Sequence, residues 1–176
     1  MKGAGGDMKQ QNNKSVSLAV YPGSFDPITN GHLDIVKRAC ELFGSVIIAI
    51  SYNQGKKSTF TLNQRKVLIE KSLRELSLDK KARVETFHGS LTDFVRNKGA
   101  KVVIRGLRFI SDFEYEFQMA LMNRRLYSDM ETVYLMPDEK HIYLSSSIVK
   151  EIAQLGKDPS EFVPACVAQA LRKIVA

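Results

Sequence analysis

The sequence predicts an α/β fold, a parallel sheet whose strands are linked by right-handed helical crossovers. Three observations predict it. Val16–Val20, with Ser17 its single polar residue, and the continuous Val46–Ile50 and Val102–Ile104 are short apolar runs, as expected of strands buried on both faces. The segments between strands carry apolar residues at three- and four-residue spacing, the pattern of helices with one inward face. Polar stretches follow the first, second, fourth and fifth strands. In a parallel sheet that is the edge where ligands bind.

In chain order, the first strand runs into Tyr21–His32, a turn rich in glycine and proline, and a helix follows. Thr29 or Asn30 caps that helix. Ile35, Val36, Ala39, Cys40, Leu42 and Phe43 fall at helical spacing, and Gly44 ends the run. Val46–Ile50 is the second strand, and a polar loop over 51–60 carries Lys56 and Lys57. Thr61 and Gln64 form a capping box for a helix with Leu62, Ile69, Leu73 and Leu76 on one side. Arg83–Phe87 is a weaker third strand; Leu91, Phe94 and Val95 mark a short helix closed by Gly99. Val102–Ile104 leads into Arg105-Gly106-Leu107-Arg108. A second capping box, Ser111 with Glu114, opens a helix reaching Tyr127 with Phe113, Phe117, Ala120 and Leu121 inward. Thr132–Met136 is the fifth strand, broken by Pro137. After a polar loop, Ser145, Ser146 and Ser147 start a helix carrying Ile148, Val149, Ile152 and Leu155 as far as Gly156. Val167, Leu171 and Ile174 mark a last helix after Pro164.

A chain of 176 residues suits one domain, and 44% hydrophobic with 26% charged residues is the balance of a soluble globular protein. Residues 16–176 are read as that domain. Residues 1–15, rich in Gly, Lys, Gln and Asn, are read as a tail without the apolar centre of a signal peptide. No apolar run approaches the ~20 residues that span a bilayer. Cys40 and Cys166 match no metal spacing and, with no export signal, are expected as reduced thiols in the cytoplasm. The formal charge is +7, of which the tail holds +2. No run of five like charges and no base-stacking motif accompanies it. Small polyanions are therefore the expected partners, rather than nucleic acid or a membrane.

The turn Tyr21-Pro22-Gly23-Ser24-Phe25-Asp26-Pro27-Ile28-Thr29-Asn30-Gly31-His32 concentrates what a phosphate needs. Gly23 lets a ligand approach the main chain closely. Ser24 offers a hydroxyl, and the helix start offers free N–H groups and a positive dipole end. His32, in the first helical turn, adds a ring N–H donor. A lone histidine at a helix start is more often a capping residue; its company carries the phosphate reading. Arg105 and Arg108, just beyond a buried strand, suit bidentate phosphate contacts. Ser145, Ser146 and Ser147 are read either as plain caps or as donors of a second anion site. The Gly-x-Gly-x-x-Gly fingerprint is absent after the first strand, which counts against a nicotinamide enzyme.

These residues also resemble a known family. Thr29-Asn30-Gly31-His32 fits the T/H-x-G-H motif of the nucleotidyltransferase superfamily, and the twelve-residue string containing it resembles the bacterial phosphopantetheine adenylyltransferases. Ile104-Arg105-Gly106-Leu107-Arg108 with Asp112-Phe113-Glu114-Tyr115-Glu116 is similar to the same family. Leu144-Ser145-Ser146-Ser147-Ile148-Val149-Lys150 resembles the superfamily's second motif, Ile-Ser-Ser-Ser/Thr-x-x-Arg, with Lys150 in place of Arg as is common in this family. The resemblance runs from Val16 to Ala176 with three motifs in order. It implies a Rossmann-like, doubly wound, five-stranded parallel sheet of order 3-2-1-4-5 with C-terminal helices, so that strands one and four flank the switch point.

The implied reaction is adenylyl transfer in coenzyme A biosynthesis: ATP and 4′-phosphopantetheine give dephospho-coenzyme A and pyrophosphate. The resemblance implies His32 and Lys56 at the reacting centre, and Ser24, Lys56, Leu91 and Arg105 on phosphopantetheine. It implies Ser24, Phe25, His32, Gly106, Leu107, Arg108, Glu116, His141, Ile142, Tyr143, Leu144, Ser145, Ser146 and Ser147 on ATP. Mg²⁺ is expected to arrive with the ATP phosphates rather than in a protein cage. A homohexamer is implied as well. Two alternatives stay open: a related enzyme with another acceptor, such as nicotinamide mononucleotide or a phosphocholine-like substrate with CTP, and a non-catalytic nucleotide-binding module.

Overall fold

The computed structural model describes residues 17–52 and 58–175. Val16, the segment read as a tail, and Lys56 with Lys57 lie outside the described residues. Five parallel strands form one sheet in the order β3-β2-β1-β4-β5. They are β1 (Ser17–Gly23), β2 (Gly44–Ser51), β3 (Ala82–Phe87), β4 (Val102–Gly106) and β5 (Glu131–Leu135). The helices are α1 (Asn30–Phe43), α2 (Leu62–Glu75), α3 (Leu91–Asn97), α4 (Ile110–Leu126), α5 (Ser146–Gln154) and α6 (Ala165–Val175). The expected class and strand order are both present. No helix among the described residues is long and apolar enough to cross a membrane.

Successive strand residues point to opposite faces, so the central strands feed two cores. Ala19, Tyr21, Val46, Ile48, Ile50 and Ile104 share one core with residues of α1, α2, α5 and α6. Val20, Ile47, Ala49 and Val103 share the other with Val95 of α3. Burial on both faces is why these strands read as unbroken apolar runs.

β1 pairs with β2 from Ser17 to Gly23, but with β4 at Ala19–Val102 and Val20–Val103 alone. Beyond Val20 the two central strands part. That opening lies where the strand order reverses, and it creates the crevice in which open α/β sheets bind ligands.

The helix starts show how local sequence aims this crevice. Thr29, rather than Asn30, caps α1: its hydroxyl accepts from the His32 N–H, and the His32 ring accepts from the Thr29 N–H. This is a capping box with histidine where glutamate or glutamine is usual. The expected Thr61–Gln64 box opens α2. Gly44, at φ 83°, ends α1 and begins β2 in a left-handed conformation that suits glycine.

Several local expectations need correction. Ser111 and Glu114 form no capping box, because α4 begins at Ile110 behind an N-cap, Phe109, that makes no side-chain cap bond. The inward face expected for α4 is also absent, since the helix buries no residue and Phe113, Phe117 and Leu121 are 42, 48 and 53% exposed. α4 follows β4 and leads to β5, the edge strand, so no further strand extends the sheet beneath its outer side. Leu42, Leu76, Leu155 and Ile174 are exposed because each falls in the last turn or at the C-cap of its helix; Ile148, in the first turn of α5, is exposed too. β4 continues through Arg105 and Gly106, whereas β5 stops at Leu135 and leaves Met136 exposed. The loop before α5 contains a short 3₁₀ turn, Glu139–His141.

Candidate active site

The crevice is a cleft of about 480 Å³ at the carboxyl ends of β1 and β4, walled by the starts of α1 and α5. Of the residues expected on the substrates, Ser24, Phe25, His32, Arg105, Gly106, Arg108, Glu116, His141, Leu144, Ser145, Ser146 and Ser147 all line it. Four others do not. Leu91 packs against the second core. The Leu107 N–H donates to the Leu135 carbonyl at 3.1 Å. Ile142 and Tyr143 are exposed, with the Tyr143 ring edge-on to Phe162. Lys56 lies outside the described residues. Tyr21, Ser111, Asp112 and Tyr115 also line the cleft, although no residue pattern marks them as ligand contacts. Their one signal was membership in, or adjacency to, the motif strings.

His32 is held as a neutral donor. Its Nδ1 accepts from the Thr29 N–H at 3.1 Å and lies 3.0 Å from the Thr29 hydroxyl. With Nδ1 as acceptor, the ring hydrogen is assigned to Nε2, the nitrogen left for a ligand. Burial, reinforced by the charge of Arg108, lowers the ring's pKa to about 4. An unfolded histidine protonates near 6.5, so the unfolded chain binds a proton that the folded one refuses between those values. The resulting contribution to stability, at most ~3 kcal/mol, is present above pH 6.5 and lost as pH falls toward 4. In an NMR titration the His32 ring protons are expected to move with a midpoint near 4; a midpoint near 6.5 contradicts this account.

The turn before α1 is shaped by contact rather than by loop freedom. Phe25 adopts φ 45° and its buried ring meets both Tyr21 and His32 edge-on, at 5.3 Å in each case. A Cβ on Gly23 would lie 2.8 Å from the tip of that ring. Gly23→Ala therefore pushes Phe25 against its neighbours, with an expected loss of about 1–3 kcal/mol and of about tenfold in kcat. Thermal unfolding and steady-state rates check this, and a variant matching the parent in both contradicts it.

Arg105, near the end of β4, grips Glu116 through a two-pronged ion pair: Nε donates to Oε2 at 2.7 Å and Nη2 to Oε1 at 2.5 Å. Nη1 donates to the Pro22 carbonyl at 3.3 Å, across the gap where β1 and β4 part. Burial opposes the guanidinium's charge, but the hydrogen bonds and charge of Glu116 outweigh it and raise its pKa. Arg108 turns the other way and donates to the Leu144 carbonyl at 2.8 Å, joining the turn before α5.

The three serines separate into different roles. Ser145 is the N-cap of α5, accepting from the Ile148 N–H at 3.1 Å. The Ser146 hydroxyl donates to the Pro27 carbonyl at 2.7 Å and so ties α5 to the first turn. Ser147 has no hydroxyl partner among the described residues and lines the cleft beside the free N–H groups of the helix start, a combination that suits an anion. Lys150 is engaged within the chain: its ammonium pairs with Asp26 at 3.4 Å. Asp26 also accepts from the Thr59 and Phe60 N–H groups at 2.9 and 2.8 Å.

A 3-2-1-4-5 sheet with a T-x-G-H turn and a serine-started helix on one cleft defines a nucleotidyltransferase, and residues 20–152 match the cytidylyltransferase-like family. The phosphopantetheine adenylyltransferase of Alkaliphilus metalliredigens is 52% identical over 158 residues, covering 90% of this chain and 99% of that one. That of Heliobacterium modesticaldum is 50% identical over 152 residues, covering 86% and 89%. The nicotinic acid mononucleotide adenylyltransferase of Plasmodium falciparum, solved with NaAD, has a TM-score of 0.69 at 15% identity and covers 89% of this chain and 95% of that one, a likeness of fold. The chain belongs to the phosphopantetheine adenylyltransferase family.

Proposed function

We propose that the chain transfers the adenylyl group of MgATP to the phosphate of 4′-phosphopantetheine, giving dephospho-coenzyme A and pyrophosphate. The observation that carries this reading is convergence: His32, Arg105, Arg108 and the start of α5 face one cleft where β1 and β4 part. The names of the relatives, at about half identity over nearly the whole chain, supply the acceptor.

The acceptor is a phosphate monoester, already anionic, so no general base is needed to make it a nucleophile. Its oxygen forms a bond to the α-phosphorus of ATP, and the bond from that phosphorus to the bridging oxygen breaks, with the electron pair leaving on pyrophosphate. The chain's work is alignment and neutralisation of developing charge. In this reading the Nε2–H of His32 donates to an α-phosphate oxygen, while Ser24 and Arg105, with Lys56, hold the acceptor phosphate. Glu116 enters as the carboxylate that fixes the Arg105 fork. Arg108, Ser147 and the α5 amides receive the outgoing pyrophosphate. Gly106, His141 and Leu144 flank the nucleotide, whereas Leu91, Leu107, Ile142 and Tyr143 stand outside the cleft lining. Mg²⁺ accompanies the ATP phosphates as part of the substrate, since it binds through substrate phosphates and keeps several of its waters.

Self-association into a homohexamer belongs to the same proposal. It is supported by α4, whose Ile110, Phe113, Phe117, Leu121, Met122 and Leu126 are exposed together on one helix. Light scattering is expected to report six copies, and a monomer at micromolar concentration rejects the assembly. A cytoplasmic site of action fits two free cysteines, Cys40 and Cys166.

A screen of pyrophosphate release tests the function, with ATP and CTP each offered 4′-phosphopantetheine, nicotinamide mononucleotide and phosphocholine. Release is expected with ATP and 4′-phosphopantetheine. Turnover confined to another pair transfers the site to that acceptor, and nucleotide binding without release makes the chain a binding module.

A further inference from the structure

Outside the cleft lining lies a buried cation that touches the site's main chain. Arg65, in the first turn of α2, is 4% exposed, and its Nη1 donates to the Ser24 carbonyl at 2.7 Å. Its Nε is buried without a hydrogen-bond partner among the described residues. Placing a guanidinium in the interior against one neutral acceptor among the described residues is a costly way to hold a helix, and an apolar side chain of similar length would serve packing better. Its contribution lies instead in what it holds.

Ser24 is exposed at the cleft, and Phe25 beside it takes a left-handed backbone, a conformation that needs support from its surroundings. Among the described residues the nearby ties do not reach this peptide. Asp26 anchors Thr59, Phe60 and Lys150; Ser146 anchors Pro27. Arg65 grips the carbonyl of the Ser24–Phe25 peptide itself. Because a trans peptide is planar, fixing that carbonyl fixes the Phe25 N–H on the opposite edge. That N–H has no partner among the described residues. A cation on the carbonyl also polarises the peptide and strengthens its N–H as a donor.

We propose that Arg65 is a positioning residue, which by holding the Ser24 carbonyl aims the Ser24 hydroxyl and the Phe25 N–H at the substrate phosphates. The proposal rests on the adenylyl-transfer reading above and deepens it. Displacements near 1 Å in such a site cost up to about 100-fold in rate. Arg65→Met, similar in length but uncharged, is accordingly expected to lower kcat about 30- to 100-fold, and Arg65→Lys, which keeps a charge and a donor, about 10-fold. The dissociation constant for ATP, measured by titration below the melting temperature of each variant, is expected to change by less than about 5-fold, since alignment rather than binding is lost.

The crystal structure of Arg65→Met supplies the second readout. The Ser24–Phe25 peptide is expected to be turned or split between two orientations, with the Asp26 bonds to Thr59 and Phe60 kept. An unmoved peptide, or unchanged kcat in the folded variant, overturns the proposal whatever happens to the melting temperature. A parent protein that does not turn over 4′-phosphopantetheine refutes the functional reading instead, and the peptide orientation still judges Arg65. Should Arg65→Met not fold, Arg65→Lys decides by the same two measurements.

Discussion

Replacement of His32 by alanine is expected to lower kcat by at least ~100-fold, with much smaller changes in substrate binding, the usual scale for losing one donor aimed at transition-state charge. The structure separates this role from a purely local one. His32 is the N3 residue of the α1 capping box, and its ring accepts from the Thr29 N–H. Alanine removes both the cap and the donor, so its effect mixes stability with rate. His32→Glu distinguishes them. Glutamate is an ordinary residue at this position of a capping box and restores an acceptor for Thr29. It cannot donate when ionised, and it brings a negative charge to the edge of a phosphate site. The account therefore expects His32→Glu to melt no lower than His32→Ala yet to be slower still. A glutamate variant with near-parental kcat would return His32 to a capping role alone.

Arg105→Ala is the second large expected loss, and its size depends on Glu116. Arg105 neutralises that carboxylate with two hydrogen bonds inside a cleft that both residues line. Removing the guanidinium deletes a phosphate ligand and also leaves Glu116, whose side chain is only 13% exposed, as an unpaired anion. Breaking such a pair costs more than the pair is worth, because the remaining charge is stranded. Arg105→Ala is expected to weaken 4′-phosphopantetheine binding about 100-fold or more, by direct titration, and ATP binding less. The Arg105→Ala/Glu116→Gln double variant is expected to recover part of that loss by removing the stranded charge. No recovery would mean that Glu116 acts independently of Arg105, and a larger loss for ATP than for the acceptor would reverse the two assignments.

The architecture was legible because it rests on local signals that agree with one another. Unbroken apolar runs gave the central strands, and Gly44 and the Thr61–Gln64 box gave helix limits. The motif strings located most of the cleft, since the residues that make it sit at the ends of β1 and β4 and at the starts of α1 and α5. What stayed hidden depends on distant partners. The Ser145-Ser146-Ser147 string looks uniform in sequence, yet one hydroxyl caps a helix, one bonds Pro27, and one has no partner among the described residues. Arg65 reads as an ordinary polar residue of an amphipathic helix until the fold brings it against Ser24, forty-one positions away. Lys150, placed where the superfamily motif has a phosphate-binding arginine, turns to Asp26. α4 misled the reading in the opposite sense. Its aromatic and aliphatic residues promised an inward face, but within one chain there is too little surface to cover them.

Under the proposed function the acceptor phosphate attacks the α-phosphorus of ATP directly in this cleft. No protein nucleophile is needed, because the acceptor is itself competent and a covalent enzyme intermediate would add a step without removing a difficulty. ATP made chiral at the α-phosphorus with sulfur and labelled oxygen, incubated with the protein, Mg²⁺ and 4′-phosphopantetheine, tests this most directly. The expected product is labelled dephospho-coenzyme A with inverted configuration at that phosphorus, the outcome of one in-line displacement. Retention would mean two displacements through an enzyme-bound nucleotide and would contradict the account.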